Sequence, residues 1–174
     1  LLFIVGWRLL PRSSFFAVGL AMAGLLAATL MVEQVVYAAI LVVMAALIAV
    51  FPLHEPRYDV NHRPYGGTTR GGLRYMVYAI VALPGLMITQ LLLEQYTLFP
   101  GDQATLSSAS LLLAFSFAIL LGVVPFQSWQ STVASDGSPP VVTFLFTVNL
   151  GTVWFLLLAY LQTYRWLGEQ GLFG

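Results

Sequence analysis

Cysteine and lysine are both missing from this 174-residue chain, and only 8% of its residues are charged. Without cysteine there is no disulfide, thiolate nucleophile, iron–sulfur cluster or cysteine-ligated zinc, and no mark of a redox compartment. Soluble domains carry about 25% charged residues, so this composition excludes a water-soluble globule and a disordered chain. The seven basic residues are all arginine and balance seven acids to a net charge of zero. Nothing in that balance attracts a nucleic acid.

What is present is apolar: 59% of the residues are hydrophobic. Crossing a bilayer takes roughly 20 mostly apolar residues per helix, and five uncharged stretches meet that need, at 14–32, 35–53, 75–93, 108–126 and 141–161. Transmembrane strands alternate apolar and polar residues, whereas runs such as AAILVVMAALIAVF are apolar on every face. The expected fold is all-α, a polytopic transmembrane bundle of about five spans over 14–161. A partial or interfacial segment precedes it at 1–13, and a tail follows at 162–174. Arg8 and Arg12 follow the apolar run at 1–10 instead of preceding it, against the order of a secretory signal.

Only Glu33 and Gln34 separate the first two stretches. Either they tip a hairpin, or one long helix buries Glu33 in mid-membrane, where its carboxyl would have a raised pKa. As a hairpin, the pair leaves Arg8, Arg12, Arg57, Arg63, Arg70 and Arg74 on one side and Arg165 alone on the other. The positive-inside rule favours that hairpin. It sets the N-terminus, the arginine-rich loop 54–74 and the loop 127–140 in the cytoplasm, as for a bacterial inner membrane or its organellar equivalent.

Breakers punctuate the later spans: Pro84-Gly85 in the third, Gly122 and Pro125 near the end of the fourth, Pro139-Pro140 opening the fifth. Proline inside a helix removes a backbone hydrogen bond, so the fourth helix is expected to be interrupted near Gly122. Such a break serves packing or lines an ion path. The polar residues left within the spans (Tyr78, Thr89, Gln90, Ser116, Thr143, Thr147 and Asn149) are expected to hydrogen-bond helix to helix. Tryptophans 7, 129, 154 and 166 and tyrosines 58, 75, 96 and 164 fall near span ends, as in an interfacial aromatic belt. Small residues over Ala17–Ala28, including Gly19 and Gly24, mark a face for contact with another subunit.

His54, Glu55, Asp59 and His62 share the hydrated, proline-containing loop HEPRYDVNH, looser than a zinc motif. Both histidines lie there, so the chain alone offers no bis-histidine haem site within the bilayer. The arginines of GGTTRGG and its surroundings suit anionic lipid headgroups or acids of a neighbouring subunit.

The segment 122–149 reads GVVPFQSWQSTVASDGSPPVVTFLFTVN, and upstream stands GGLRYMVYAIVALPG. Val124, Pro125, Phe126 and Trp129, then Pro140, Val141, Thr143, Phe144 and Leu145, with Arg74-Tyr75 opening the earlier helix, carry a resemblance. The chain resembles the antiporter-like membrane subunits of respiratory complex I, a proton-conducting membrane transporter family, and within it the NADH-quinone oxidoreductase subunit N branch. The resemblance implies one five-helix half of an inverted repeat, in a fragment, split subunit or truncated relative of a longer family member. It implies a membrane subunit of a multisubunit respiratory complex, non-catalytic itself, partnered by other hydrophobic membrane subunits and anionic lipid. No cofactor is expected on this chain; lipid surrounds it and quinone belongs to the wider complex.

Departures from the family pattern qualify proton transport. The positions of the two relay lysines hold Leu120 and Asn149 (or Leu150), the motif histidine is Gln127, and its following Pro-Asp is Ser131-Thr132. A family glutamate falls at Glu33 if that residue is buried. Glu33, Gln127 and Asn149 are therefore the proton-path candidates, and Gly122, Pro125, Phe126, Trp129 and Pro140 the motif and helix-break residues. With no ionisable group inside the five spans, the expectation is a subunit that is structural, or degenerate for proton translocation. The competing expectation is a small accessory or scaffold subunit of a respiratory or photosynthetic complex.

Overall fold

A computed structural model describes residues 4, 14–32, 35–55, 57–58, 64–65, 69–99 and 101–164. Glu33, nine residues of the loop 54–74 including Asp59, His62 and Arg63, and Trp7, Arg165 and Trp166 lie outside the described residues. In chain order the elements are α1 (Phe15–Met31), α2 (Val35–Ile48), α3 (Val50–His54), α4 (Thr69–Leu98), α5 (Gln103–Leu121), α6 (Ser128–Asp136), α7 (Pro139–Phe144), a π-helical turn (Leu145–Asn149) and α8 (Leu150–Thr163). An antiparallel ladder of two residues per strand, β1 (Arg57–Tyr58) with β2 (Pro64–Tyr65), closes part of the loop after α3. Otherwise the fold is an all-helical bundle. Four spans, Val36–His54, Arg70–Leu98, Gln103–Leu121 and Pro139–Thr163, are long and apolar enough to cross a membrane, and α1 is a shorter apolar helix of 17 residues.

Backbone chemistry sets each boundary. α1 stops where Val32 turns extended, and α2 packs back along α1, so the pair is a hairpin and not one continuous helix. At the far end of α1 the Glu55 carboxylate accepts the Ser14 backbone N–H at 2.7 Å, tying the start of α1 to the end of α3. The second span breaks at Ala49 because Pro52 has no N–H for the carbonyl of Ile48. α2 is the central helix, packed by α1, α4 and α8. Its Ala38, Ala39, Ala45 and Ala46 are almost wholly buried; methyl side chains let three helices approach at once.

The later spans depart from the sequence expectation in four ways. α4 runs 30 residues and continues through Pro84, overshooting the expected 75–93 at both ends. α5 begins five residues before the expected 108 because the Asp102 side chain accepts the Ala104 N–H and caps it. That start follows from capping chemistry, which an apolar-run count does not see. The expected interruption near Gly122 is instead a helix end: α5 stops at Leu121, and Pro125 and Phe126 lie in the turn beyond it. The segment 127–140, read as a loop between spans, contains α6. Pro139-Pro140 does open the last span, at its first two positions, where missing N–H groups cost nothing.

The buried residues form one continuous core from Phe15 in α1 to Tyr160 in α8. The aromatic belt is only partly realised. Trp154 is exposed, but Trp129 and Tyr75 are core residues, 1% and 3% exposed. Threonines expected to join helices mostly bond within their own: Thr89 donates to the carbonyl of Gly85, Thr143 to Pro139 and Thr147 to Thr143. The expected small-residue contact face of α1 is split, with Gly19 buried and Gly24 open to the outside.

Hydrogen bonds from Thr105 and Ala104 hold the exposed Asp102 carboxyl below the usual aspartate range, the Thr105 side chain contributing most. A carboxylate whose folded pKa is lowered stabilises above its unfolded value of about 3.9 and loses that contribution as pH falls through the folded value. Hydrogen exchange at the Ala104 amide is therefore expected to keep its protection at neutral pH and lose it in acid. Asp102→Asn is expected to remove that pH dependence while keeping an acceptor at the cap.

Candidate functional site

Part of the resemblance, Arg74-Tyr75 with Phe126 and Trp129, comes together where α4, α6 and the π-helical turn meet, whereas Val124, Pro125 and Thr143 are exposed and Phe144 packs against Phe15 of α1. α6 lies along the first turns of α4 because Gly71 lacks a side chain: a Cβ there would come within 3.2 Å of the Thr132 carbonyl oxygen. Residues 71, 74, 75 and 78 fall on one helical stripe, spaced by three and four. Two of them bond across to α6, Arg74 Nη1 donating to Thr132 Oγ1 at 3.0 Å and Tyr78 Oη pairing with Ser128 Oγ at 3.1 Å.

Trp129 fills the space between this stripe and the last span. Its ring lies 4.8 Å from that of Tyr75, tilted by 36°, and meets Phe146 edge-on at 6.2 Å. Asn149, 2% exposed, closes the π-helical turn and donates from Nδ2 to Tyr75 Oη at 2.6 Å. Among the described residues Asn149 Oδ1 and Trp129 Nε1 have no hydrogen-bond partner. A π-turn inserts one extra residue into a helix and commonly marks a site where a side chain has been re-aimed. Here it swings Asn149 toward α4. Periodicity in an apolar run contains no signal for such a turn; the polar Asn149 was its only trace.

The end of α5 is held from the same side. Gly122 adopts φ +64°, which no β-carbon tolerates cheaply, and a Cβ there would fall 2.6 Å from Gln130 Nε2. The Val123 and Gly122 N–H groups return to the carbonyls of Ala118 and Ile119, closing a Schellman end. Gln130 Nε2 donates to the carbonyl of Leu121 at 2.7 Å, satisfying another otherwise orphan acceptor. Phe126 packs edge-on against Tyr78 and Phe115 at 6.3 and 5.3 Å. The Val124–Pro125 bond is cis, Pro125 itself is exposed, and Pro140 is buried in the first turn of α7.

Asn149, Trp129, Phe126 and Gly122 thus belong to one packed unit, and Pro140 is buried separately in the first turn of α7. Gln127 does not join Asn149; it is exposed at the start of α6, where its backbone carbonyl accepts the Gln130 N–H. Sequence reasoning named Tyr78 and Asn149 as residues that hydrogen-bond helix to helix, as both do, but missed their partners Ser128 and Tyr75 and missed Gln130. Leu120, where the resemblance would place a lysine, is buried and apolar. Amide, phenol, indole and hydroxyl groups can hold a bent backbone, but none relays protons at neutral pH as a lysine or glutamate does. Among the described residues no cluster of three His, Asp or Glu side chains could hold a metal.

Comparisons with protein-family models, curated proteins and solved structures return no match for this chain.

Removing one partner of the Tyr75–Asn149 bond strands the other in the core, which costs about 1–3 kcal/mol, whereas removing both is nearly neutral. In a thermal double-mutant cycle in detergent, Tyr75→Phe and Asn149→Leu are each expected to destabilise. The double variant is expected to lose less than the sum of the two.

Proposed function

We propose that this chain is an integral membrane subunit of a complex I-like respiratory assembly, resembling the antiporter-like proton-channel subunits and contributing structure in place of proton translocation. The observation that supports this reading is the buried unit built by Tyr75, Trp129 and Asn149. The two segments that carry the resemblance, 71–85 and 122–149, meet there. The two family lysine positions are occupied by Leu120 and by Asn149, whose amide donates to a phenol. A neutral hydrogen bond at that depth stabilises a helix distortion without a charge to move.

The rest of the reading follows from surfaces. Large apolar side chains stand exposed along α4, among them Val77, Ile80, Val81, Ile88 and Leu91, and these suit lipid or neighbouring hydrophobic subunits. Arg70 and Arg74 sit at the start of α4, where a cytoplasmic leaflet would offer anionic headgroups. Quinone and electron transfer belong to other chains of the assembly.

Mild detergent extraction of the tagged chain from its native membrane, followed by mass spectrometry of co-purifying polypeptides, is expected to recover subunits of a quinone-reducing membrane arm. Recovery of the chain alone, or with pigment-binding subunits only, contradicts the proposal; the second result favours a scaffold of a photosynthetic complex. In liposomes the chain alone is expected to carry no proton flux. A flux abolished by Glu33→Gln would identify an autonomous transporter instead.

A further inference from the structure

The start of α4 carries two arginines on its outward face. Arg70 and Arg74 stand one helical turn apart, both exposed, close enough for their side chains to meet on one ligand. Arg74 is pinned: its Nη1 donates at 3.0 Å to Thr132 Oγ1, and Thr132 is itself anchored by donating to the carbonyl of Ser128 at 2.8 Å. That neutral hydroxyl fixes the guanidinium without cancelling its charge, and it takes only one of the five N–H donors. Among the described residues neither arginine has a carboxylate partner. Deeper along α4, at the same three- and four-residue spacing, Leu73, Val77, Ile80 and Val81 continue the outward face, each about half exposed. From residue 70 to residue 81 the helix rises about 16 Å, roughly half of a hydrocarbon core of about 30 Å and so the depth of one leaflet.

Uncompensated positive charge above an apolar stripe one leaflet deep is complementary to an anionic amphiphile. We propose that Arg70 and Arg74 bind the phosphate of an anionic phospholipid, such as phosphatidylglycerol, whose acyl chains lie along Leu73, Val77 and Val81. Guanidinium groups suit a phosphate because their planar N–H pairs match its oxygens. A zwitterionic lipid fits less well, because its own cation would face two arginines. A carboxylate of a neighbouring subunit would answer the charge alone and leave the stripe beneath it uncovered. The proposal rests on α4 entering the membrane at Arg70 and sharpens the headgroup contact named above; it does not need the complex I-like reading.

Native mass spectrometry of the full chain, released from nanodiscs of equal phosphatidylglycerol and phosphatidylcholine, reads which lipid stays bound. The unmodified chain is expected to retain phosphatidylglycerol several-fold over phosphatidylcholine. Arg70→Gln combined with Arg74→Gln is expected to retain the two equally, and Arg57→Gln, in β1 of the same loop, to keep the preference. Equal retention by the unmodified chain overturns the proposal. So does a loss in Arg57→Gln as large as in the double variant, which would mean diffuse attraction and no site. In detergent, added phosphatidylglycerol is expected to raise the Tm of the unmodified chain while inorganic phosphate leaves it unchanged; an equal rise with inorganic phosphate would assign the arginines to a free anion instead. A double variant that keeps the lipid preference but loses co-purifying subunits would assign them to a neighbour's carboxylate. A chain that fails to enter the discs would refute the membrane placement itself, and this proposal with it.

Discussion

A bilayer offers no water to a helix that bends or ends within it, so each irregular stretch of backbone at depth must be satisfied by the protein itself. That constraint organises this chain. α5 ends in a left-handed glycine whose neighbouring carbonyls are taken by the Gly122 and Val123 N–H groups and by Gln130. The last span swells into a π-turn whose Asn149 is held by Tyr75. Both solutions draw on the same piece, α6, which supplies Gln130 to one and the Trp129 ring to the other. α6 in turn approaches the start of α4 closely because Gly71 lacks a side chain. Capping, close approach and the buried hydrogen bond are one cooperative arrangement.

The arrangement is neutral throughout. Asn149 and Tyr75 exchange a hydrogen bond without either carrying charge, and the apolar Leu120 lies buried in α5. Burying a charge at such depth would demand a counter-charge or a hydrated cavity. A helix distortion held by an amide gives geometry and rigidity, which suits a subunit that braces a larger membrane assembly.

Much of the bundle was legible in the sequence. Spans at 35–53 and 141–161 are visible as uncharged apolar runs, and the structure brings Val36–His54 and Pro139–Thr163 close to those limits. The hairpin of α1 and α2 was favoured by arginine placement, because one continuous helix would carry Arg8 and Arg12 to the side opposite the other four. Boundaries set by single polar side chains were not. Asp102 extends α5 backward, Gly122 ends it early and Ser128 opens α6, and none of these alters the hydropathy of its surroundings enough to register. At the candidate site the sequence identified Asn149, Trp129, Gly122 and Phe126 but not Tyr75 as the hydrogen-bond partner. The pairing spans 74 residues and depends on a π-turn that periodicity does not encode.

The central claim is that the Asn149 environment is buried and neutral, and the pH dependence of stability in an Asn149→Asp variant addresses it most directly. A carboxyl in a dry core has its folded pKa raised, so it is tolerated while protonated and destabilises as pH climbs past the unfolded value of about 3.9. The account expects the Tm of this variant to fall from about pH 4 upward and to level off only where the pH passes the raised folded value, while the unmodified chain shows no such fall over that range. A variant Tm that is equally flat and equal to that of the unmodified chain would mean that water or a counter-charge reaches Asn149. The neutral bracing role would then be contradicted.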